Sequence, residues 1–273
     1  MISYRDLCKA LRDAGVEEAE TEAALLAERF CGLSRAALLA DPARMLDHAA
    51  LADAIERRRR GEPIQYILGE WDFFRERYFV SPHCLIPRPE TELLVERAIE
   101  LLPEGARFAD LCTGSGCIAV STLANRPDCT GVAVDLFPET LALAQKNAVR
   151  NGVDARLAFV RADVLFPTCL AEYPSFDAIL SNPPYINSDV VPTLERELFF
   201  EPAAALDGGH DGLDFYRAIV KNFASRLTEG GFMLFEIGYD QEDAIKGIAA
   251  EHGFACAVEK DLAGQPRMAL LTR

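Results

Sequence analysis

From position 108 onward the chain alternates short apolar runs with amphipathic stretches, and this order restricts the fold more than any other feature. Residues 108–111, 131–135, 157–160, 176–181, 232–237, 254–259 and 267–271 read as strands, and 90–102, 117–125, 138–151, 215–227 and 241–252 as helices. Strands that alternate with helices bury themselves as a doubly wound α/β sheet, here mostly parallel with an antiparallel final strand. In such sheets ligands lie beyond the carboxyl ends of the strands, near the switch point of the winding.

The first part of the chain follows a different rule. Leu7, Leu11, Ala23, Leu26, Ala27, Phe30, Leu51 and Ile55 recur at helical spacing, punctuated by Gly15, Gly32 and Asp41-Pro42. Residues 1–62 therefore form a small all-helical domain. Between 63 and 87 the pattern turns to aromatics and alternation (Tyr66, Trp71, Phe73, Phe74, Tyr78, Phe79), which predicts a β-hairpin linker. The catalytic domain follows over 88–273. Arg57-Arg58-Arg59-Arg60 reads as a solvated helix end with its cations placed favourably against the helix dipole.

Two turns carry the chemistry. Asn182-Pro183-Pro184-Tyr185 follows the strand at 176–181, and its prolines stop the strand and fix the backbone. A rigid Asn carboxamide beside a flat Tyr ring suits a planar group bearing an NH2; the bland alternative is an ordinary turn. The second turn, Asp110-Leu111-Cys112-Thr113-Gly114-Ser115-Gly116, joins a strand to a helix, and its glycines let a ligand approach the backbone. Asp135, ending the next strand, can accept both hydroxyls of an adenosine ribose. Gly-Ser-Gly-Cys-Ile-Ala also fits a nicotinamide-cofactor pattern. Asp110 would repel a pyrophosphate but suits a cationic amino group, and no hydride-transfer residues are evident, so S-adenosylmethionine is the expected cofactor. Asp163 can meet the adenine amino group with Val164 packed on the ring, or simply cap a turn. Arg88, Glu90 and Glu92 open a helix; they either line a peptide entrance or cap the helix.

Charge and cysteine usage narrow the class. A net charge of −15 disfavours broad binding to nucleic acid phosphates. The cysteines at 8, 31, 84, 112, 117, 129, 169 and 256 include no Cys-x-x-Cys pair, and His48, His83, His210 and His252 are scattered, so no metal framework is expected. Thiols in a reducing cytoplasm, with no membrane partner, are the simplest account.

Together these motifs resemble the HemK/PrmC family, the peptide chain release factor glutamine methyltransferases. The matching stretches are Glu62-Pro63-Ile64-Gln65-Tyr66-Ile67, Leu85-Ile86-Pro87-Arg88-Pro89-Glu90-Thr91-Glu92, 110–117, 181–186, 201–212 and Glu236-Ile237-Gly238. The resemblance implies a Rossmann-like methyltransferase domain behind a helical domain that recognises the substrate protein. It implies a monomer using S-adenosylmethionine and no metal, and class 1 release factors as partner, methylated at N5 of the Gly-Gly-Gln glutamine. Cys112 departs from it, since members often carry Gly there. Asp-Leu-Cys-Thr-Gly-Ser-Gly also resembles enzymes that methylate a ribosomal-protein glutamine, and Asn-Pro-Pro-Tyr is shared with nucleic-acid adenine methyltransferases. The expected substrate contacts are Asn182, Pro183, Pro184, Tyr185, Arg88, Glu92 and Glu201. Asn182, Pro183 and Tyr185 are the expected catalytic residues: the Asn182 side-chain oxygen and the Pro183 carbonyl accept the substrate N–H groups, and Tyr185 walls the amide. Cofactor contacts are expected at Asp110, Cys112, Thr113, Gly114, Ser115, Gly116, Asp135, Asp163, Val164 and Asn182.

Overall fold

A computed structural model describes residues 1–46, 49–167 and 170–273. His48 and Cys169 lie outside these residues. The chain divides into two compact units: Met1–Glu70 with Glu195–Phe200, and Trp71–Leu194 with Glu201–Arg273.

In the first unit the elements run β1 (Ile2–Ser3), α1 (Tyr4–Asp13), α2 (Ala19–Cys31), α3 (Arg35–Ala40), β2 (Met45–Leu46), α4 (Ala49–Arg59) and α5 (Ile64–Leu68). Ser3 and Ser34 cap α1 and α3 by accepting from Asp6 N and Ala37 N. Leu7, Leu11, Leu26, Leu38 and Leu51 are fully or almost fully buried between the helices. The unit is not purely helical, because β1 pairs antiparallel with β2. Nor is the arginine cluster uniformly solvated. Arg58 is 6% exposed, donates to both Glu22 oxygens at 2.5 and 3.0 Å, and reaches Glu197 at 2.6 Å. Arg57 forks onto Glu62. Only Arg59 and Arg60 stand out in solvent. Glu22 is the buried partner, and removing it would leave the guanidinium with only the half-exposed Glu197 as counter-charge.

The second unit begins with the ribbon β3 (Glu70–Phe73) and β4 (Glu76–Phe79), the hairpin expected in the linker, preceded by α5 rather than by extended chain. Then come α6 (Thr91–Leu101), β5 (Arg107–Leu111), α7 (Cys117–Asn125), β6 (Thr130–Asp135), α8 (Pro138–Arg150), β7 (Leu157–Arg161), β8 (Phe176–Ser181), α9 (Asp214–Phe223), β9 (Leu227–Glu236), α10 (Glu242–Glu251), β10 (Ala255–Lys260) and β11 (Pro266–Thr272). The seven-stranded sheet has the order β10-β11-β9-β8-β5-β6-β7. The five strands from β9 to β7 are parallel, and β11 runs antiparallel to both its neighbours.

Strand side chains alternate between two cores. Phe108, Ala133, Ala178, Leu180, Phe232 and Leu234 face α6 and α7, with Leu94, Val95 and Ile118 above them. Ala109, Val132, Val134, Ile179, Met233 and Phe235 face α9 and α10, against Tyr216, Ile219 and Ile245. Two carboxylates interrupt the first set at strand ends, Asp110 on β5 and Glu236 on β9.

Candidate active site

At the carboxyl edge of the sheet, β5 and β8 part. Ser181 Oγ donates to the Leu111 carbonyl at 2.6 Å and closes the gap between them. Beyond Leu111 the backbone takes positive φ at Cys112 (59°), Gly114 (55°) and Gly116 (80°). Glycine meets that demand at two of the three positions, so Cys112 carries the strain of the turn. A Cβ added at Gly114 would meet nothing within 4 Å, whereas one at Gly116 would press on Ala144 Cβ at 3.1 Å. The first glycine keeps the turn open and the second lets α7 pack on α8.

The turn borders a cavity with about 1040 Å³ of empty space, counted out through its mouth. Cys112, Thr113, Gly114 and Ser115 line it on one side, and Asn182 and Pro184 on another. Asp135, Leu136, Phe137, Asp163 and Val164 form a third wall, and Arg88 with Thr91 a fourth. Asp110, Gly116, Glu92, Pro183, Tyr185 and Glu201 are not among the lining residues. Sequence reasoning missed much of the lining, including His83, Cys84, Leu85 and Pro87 of the linker, and Leu136, Phe137 and Phe215. The apolar Leu136-Phe137 pair directly after Asp135 was a readable signal.

Glu92, Glu201 and Asp110, outside the cavity, have visible tasks. Glu92 accepts from Phe74 N at 2.8 Å and caps the ribbon turn, where Phe74 has φ 57°. Glu201 is 6% exposed, accepts from Ile86 N at 2.9 Å and binds the Arg88 guanidinium, so it holds Arg88 at the wall. Asp110 is fully buried behind the glycine turn. Its Oδ2 takes the Thr113 hydroxyl at 2.5 Å and Ala119 N at 3.2 Å, while Oδ1 has no partner. Burial raises its carboxyl to about 7 against those two bonds. Ser115 Oγ is also buried, and shares a hydrogen bond with the Cys117 thiol.

Asp135 accepts from Gly114 N and Phe137 N, each at 3.1 Å. Burial raises it too, although these donors favour the charged form. Asp163 accepts from Leu165 N at 2.9 Å, so the turn cap expected of it forms beside the cavity. Burial lifts the thiol of Cys112 well above the ordinary range, which makes it a poor nucleophile.

The segment after β8 is clamped rather than loose. Ile186 N donates to Leu206 O at 2.9 Å, Gly208 N to Ile186 O at 2.8 Å and Ser188 N to Gly209 O at 2.9 Å. Gln241 Nε2 donates to Tyr185 O at 3.0 Å and to Gly212 O at 3.2 Å. A Cβ at Gly208 would stand 2.7 Å from Tyr185 Cα, and one at Gly212 only 2.3 Å from Tyr185 O. Beneath them lies Glu236, 2% exposed. It accepts from Thr91 Oγ1 at 2.5 Å and from the Tyr185 hydroxyl at 3.4 Å, and Thr91 Oγ1 in turn accepts from Asn182 Nδ2 at 3.2 Å. Sequence reasoning gave Thr91 and Glu236 no role, although both lie within the quoted matching stretches. Among the described residues no cluster of three His, Cys, Asp or Glu is placed to hold a metal ion, and no helix is long and apolar enough to cross a membrane.

Comparison with known proteins shows the family. Residues 4–69 match the PrmC N-terminal domain and residues 89–212 the methyltransferase small domain. The release factor glutamine methyltransferase of Caulobacter vibrioides is 38% identical, over 95% of this chain and 91% of its own length. That of Neisseria gonorrhoeae is 43% identical over 79% and 78%. A methyltransferase from Pyrococcus furiosus, 18% identical, superposes with a TM-score of 0.55 over 73% of this chain and 89% of its own, which speaks for the fold alone. The chain belongs to the release factor glutamine methyltransferase family.

Proposed function

We infer that this enzyme methylates the side-chain amide nitrogen (N5) of the glutamine in the Gly-Gly-Gln motif of class 1 peptide chain release factors, with S-adenosylmethionine as donor. The observation that carries the reading is the meeting of Asn182, the glycine turn and Asp135 in one cavity. The relatives' activity supports the choice of substrate.

The residues present fit the cofactor. Asp135 stands where a ribose diol needs a paired acceptor, and Asp163, Val164, Leu136 and Phe137 supply a polar edge and an apolar wall for a base. The unpartnered Asp110 Oδ1 leaves polar capacity behind the turn for a charged amino-acid tail. When bound, the sulfonium supplies an activated methyl group.

The chain's own task is positioning, because an amide lone pair is delocalised and attacks poorly. Asn182 Oδ1 and the Pro183 carbonyl each accept a substrate N–H, which turns the remaining face of the nitrogen toward the methyl carbon. Alignment of this kind is worth roughly 7–11 kcal/mol in favourable cases. The same acceptors favour the positive charge that grows on nitrogen. Tyr185 and the 201–212 loop shield the amide from water. The helical domain is the element we assign to gripping the partner protein, and a monomer in the cytoplasm completes the proposal.

The test offers labelled cofactor to a release factor, the same factor with its motif glutamine changed to glutamate, a ribosomal protein bearing a methylatable glutamine, and DNA. Label on the intact release factor alone, at the motif glutamine by mass spectrometry, is the expected result. Label only on the ribosomal protein or on DNA would overturn the substrate.

A further inference from the structure

The Asn182 carboxamide has two ends of opposite character, and only the oxygen can accept a substrate N–H. Nothing in the Asn-Pro-Pro-Tyr turn itself decides which end faces the cavity, since a half-turn about the last side-chain bond exchanges them. The decision comes from two residues outside the motif. Thr91 is 2% exposed and opens α6; Glu236 is 2% exposed and ends β9. The hydroxyl of Thr91 lies 2.5 Å from Glu236 Oε2 and 3.2 Å from Asn182 Nδ2. A hydroxyl has one proton to give, and an ionised carboxylate can only accept.

We propose that Thr91 and Glu236 are positioning residues that set the polarity of Asn182: Glu236 accepts the hydrogen bond of the Thr91 hydroxyl, Thr91 in turn accepts from Asn182 Nδ2, and Asn182 Oδ1 is left for the substrate. This rests on the substrate reading above, in which Asn182 receives an amide N–H. A second arm serves the same end, because the Tyr185 hydroxyl meets Glu236 Oε1 at 3.4 Å and places the ring against the same carboxylate.

The relay depends on charge. A protonated Glu236 would donate to Thr91, Thr91 could donate onward, and the carboxamide could turn its oxygen inward and its NH2 to the cavity. The NH2 would then confront the substrate N–H groups. The groups that bear on Glu236 come from every neighbouring element. Arg267 of β11 favours its charged form and Glu90, at the start of α6, opposes it. Tyr185 and Thr91 donate to its carboxylate, and the Tyr216 hydroxyl of α9 donates to its backbone carbonyl at 2.8 Å. Burial outweighs the favourable contacts and lifts the group to about 7.

The experiment uses the full chain in three variants, Thr91→Val, Thr91→Ser and Glu236→Gln. Thr91→Val keeps the shape and removes the relay. With saturating cofactor and release factor, its kcat should fall roughly 10- to 100-fold, the scale of a misplaced reacting group, while cofactor affinity stays within about two-fold. Thr91→Ser restores the hydroxyl and should recover kcat to within about three-fold of wild type. The wild-type kcat should fall on acidification through about pH 7, and Glu236→Gln should be slow with that limb abolished.

A second readout needs no substrate. The side-chain amide protons of isotope-labelled Asn182 should titrate near pH 7 in the wild type and lose the titration in Thr91→Val and Glu236→Gln. Wild-type kcat in Thr91→Val, equal loss in Thr91→Ser, or an Asn182 amide that ignores Glu236 would overturn the proposal. A wild type that leaves release factor unmethylated while the Asn182 titration persists would overturn the substrate reading and leave the relay standing.

Discussion

Asp110 and Glu236 share almost every local circumstance. Each ends a run of sheet residues on the same face, each sits under the first turn of a helix, and burial brings both carboxyls to about 7. They differ in what meets them. Both Glu236 oxygens are engaged by side chains of the fold, whereas Asp110 keeps one oxygen without any partner. Desolvating a charge is costly unless it is paired. A fully engaged buried carboxylate therefore serves the protein's own architecture, and a half-engaged one marks where something else completes it. On this view the β8–β9 side of the cavity is finished before any ligand arrives, and the β5–β6 side is finished by the cofactor.

Four measurements can break or sharpen that contrast. The largest effect is expected on the finished side. Asn182→Ala should lower the rate constant at least roughly 100-fold, the scale of losing one preorganised polar contact, with cofactor binding nearly unchanged; normal turnover would remove Asn182 from the mechanism. On the other side Asp135→Ala should act through affinity. Losing two charge-assisted bonds to the ribose costs about 1–3 kcal/mol each, read by calorimetric titration of the cofactor. Unchanged affinity would mean that another residue holds the ribose, and tight NADH binding would defeat the methyltransferase assignment.

The third measurement follows protons. The folded state raises Asp110 and Glu236 from their ordinary values of 3.8 and 4.5 to about 7. Between those limits it binds more protons than the unfolded chain, so both groups make unfolding easier as pH rises through that window. Asp110→Asn and Glu236→Gln should each flatten the fall in melting temperature between pH 5 and 8. Cofactor binding near pH 7 should release protons from Asp110 as it meets a cationic partner. Titration in buffers of different ionisation enthalpy should show that release in Glu236→Gln and not in Asp110→Asn; release in both would dissolve the distinction between the two carboxylates. The smallest effect is expected for Cys112→Gly. It relieves a positive φ of 59°, worth about 1 kcal/mol, and forfeits the whole thiol side chain at the cavity wall. A shift in melting temperature of a few degrees at most is expected; a collapse of stability would show that the thiol packs more than it strains.

How far the sequence could be read follows the same division between local and distant causes. Strands 107–111, 130–135 and 176–181 were plain because each is a dense apolar run between turn signals. Helix 64–68 was hidden among aromatics suited to strands; Pro63 before it and Gly69 after it, with φ 76°, were its only marks. Strand β9 begins at Leu227 and passes through Gly230 and Gly231, which argue against a strand when read alone. The burial of Arg58 had no local sign, since Glu22 and Glu197 are far away in sequence. The site divides likewise. Asn182, Asp135 and the glycine turn stand out locally, and the structure brings them to one cavity. Thr91 and Glu236 meet only when α6 is laid over the end of β9, and the 83–87 wall forms only when the linker returns to the sheet edge.

The two glycines that press on Tyr185 have a bearing on how such an enzyme can change. Positions 208 and 212 admit no side chain without moving the Tyr185 backbone. The loop they belong to is therefore closed to gradual variation where it packs on the Asn-Pro-Pro-Tyr turn. A lineage drifting toward a new acceptor would have to leave these two positions untouched and vary the residues around them. The packing under the Asn-Pro-Pro-Tyr turn is the part least free to diverge, and change is more accessible among the residues around it.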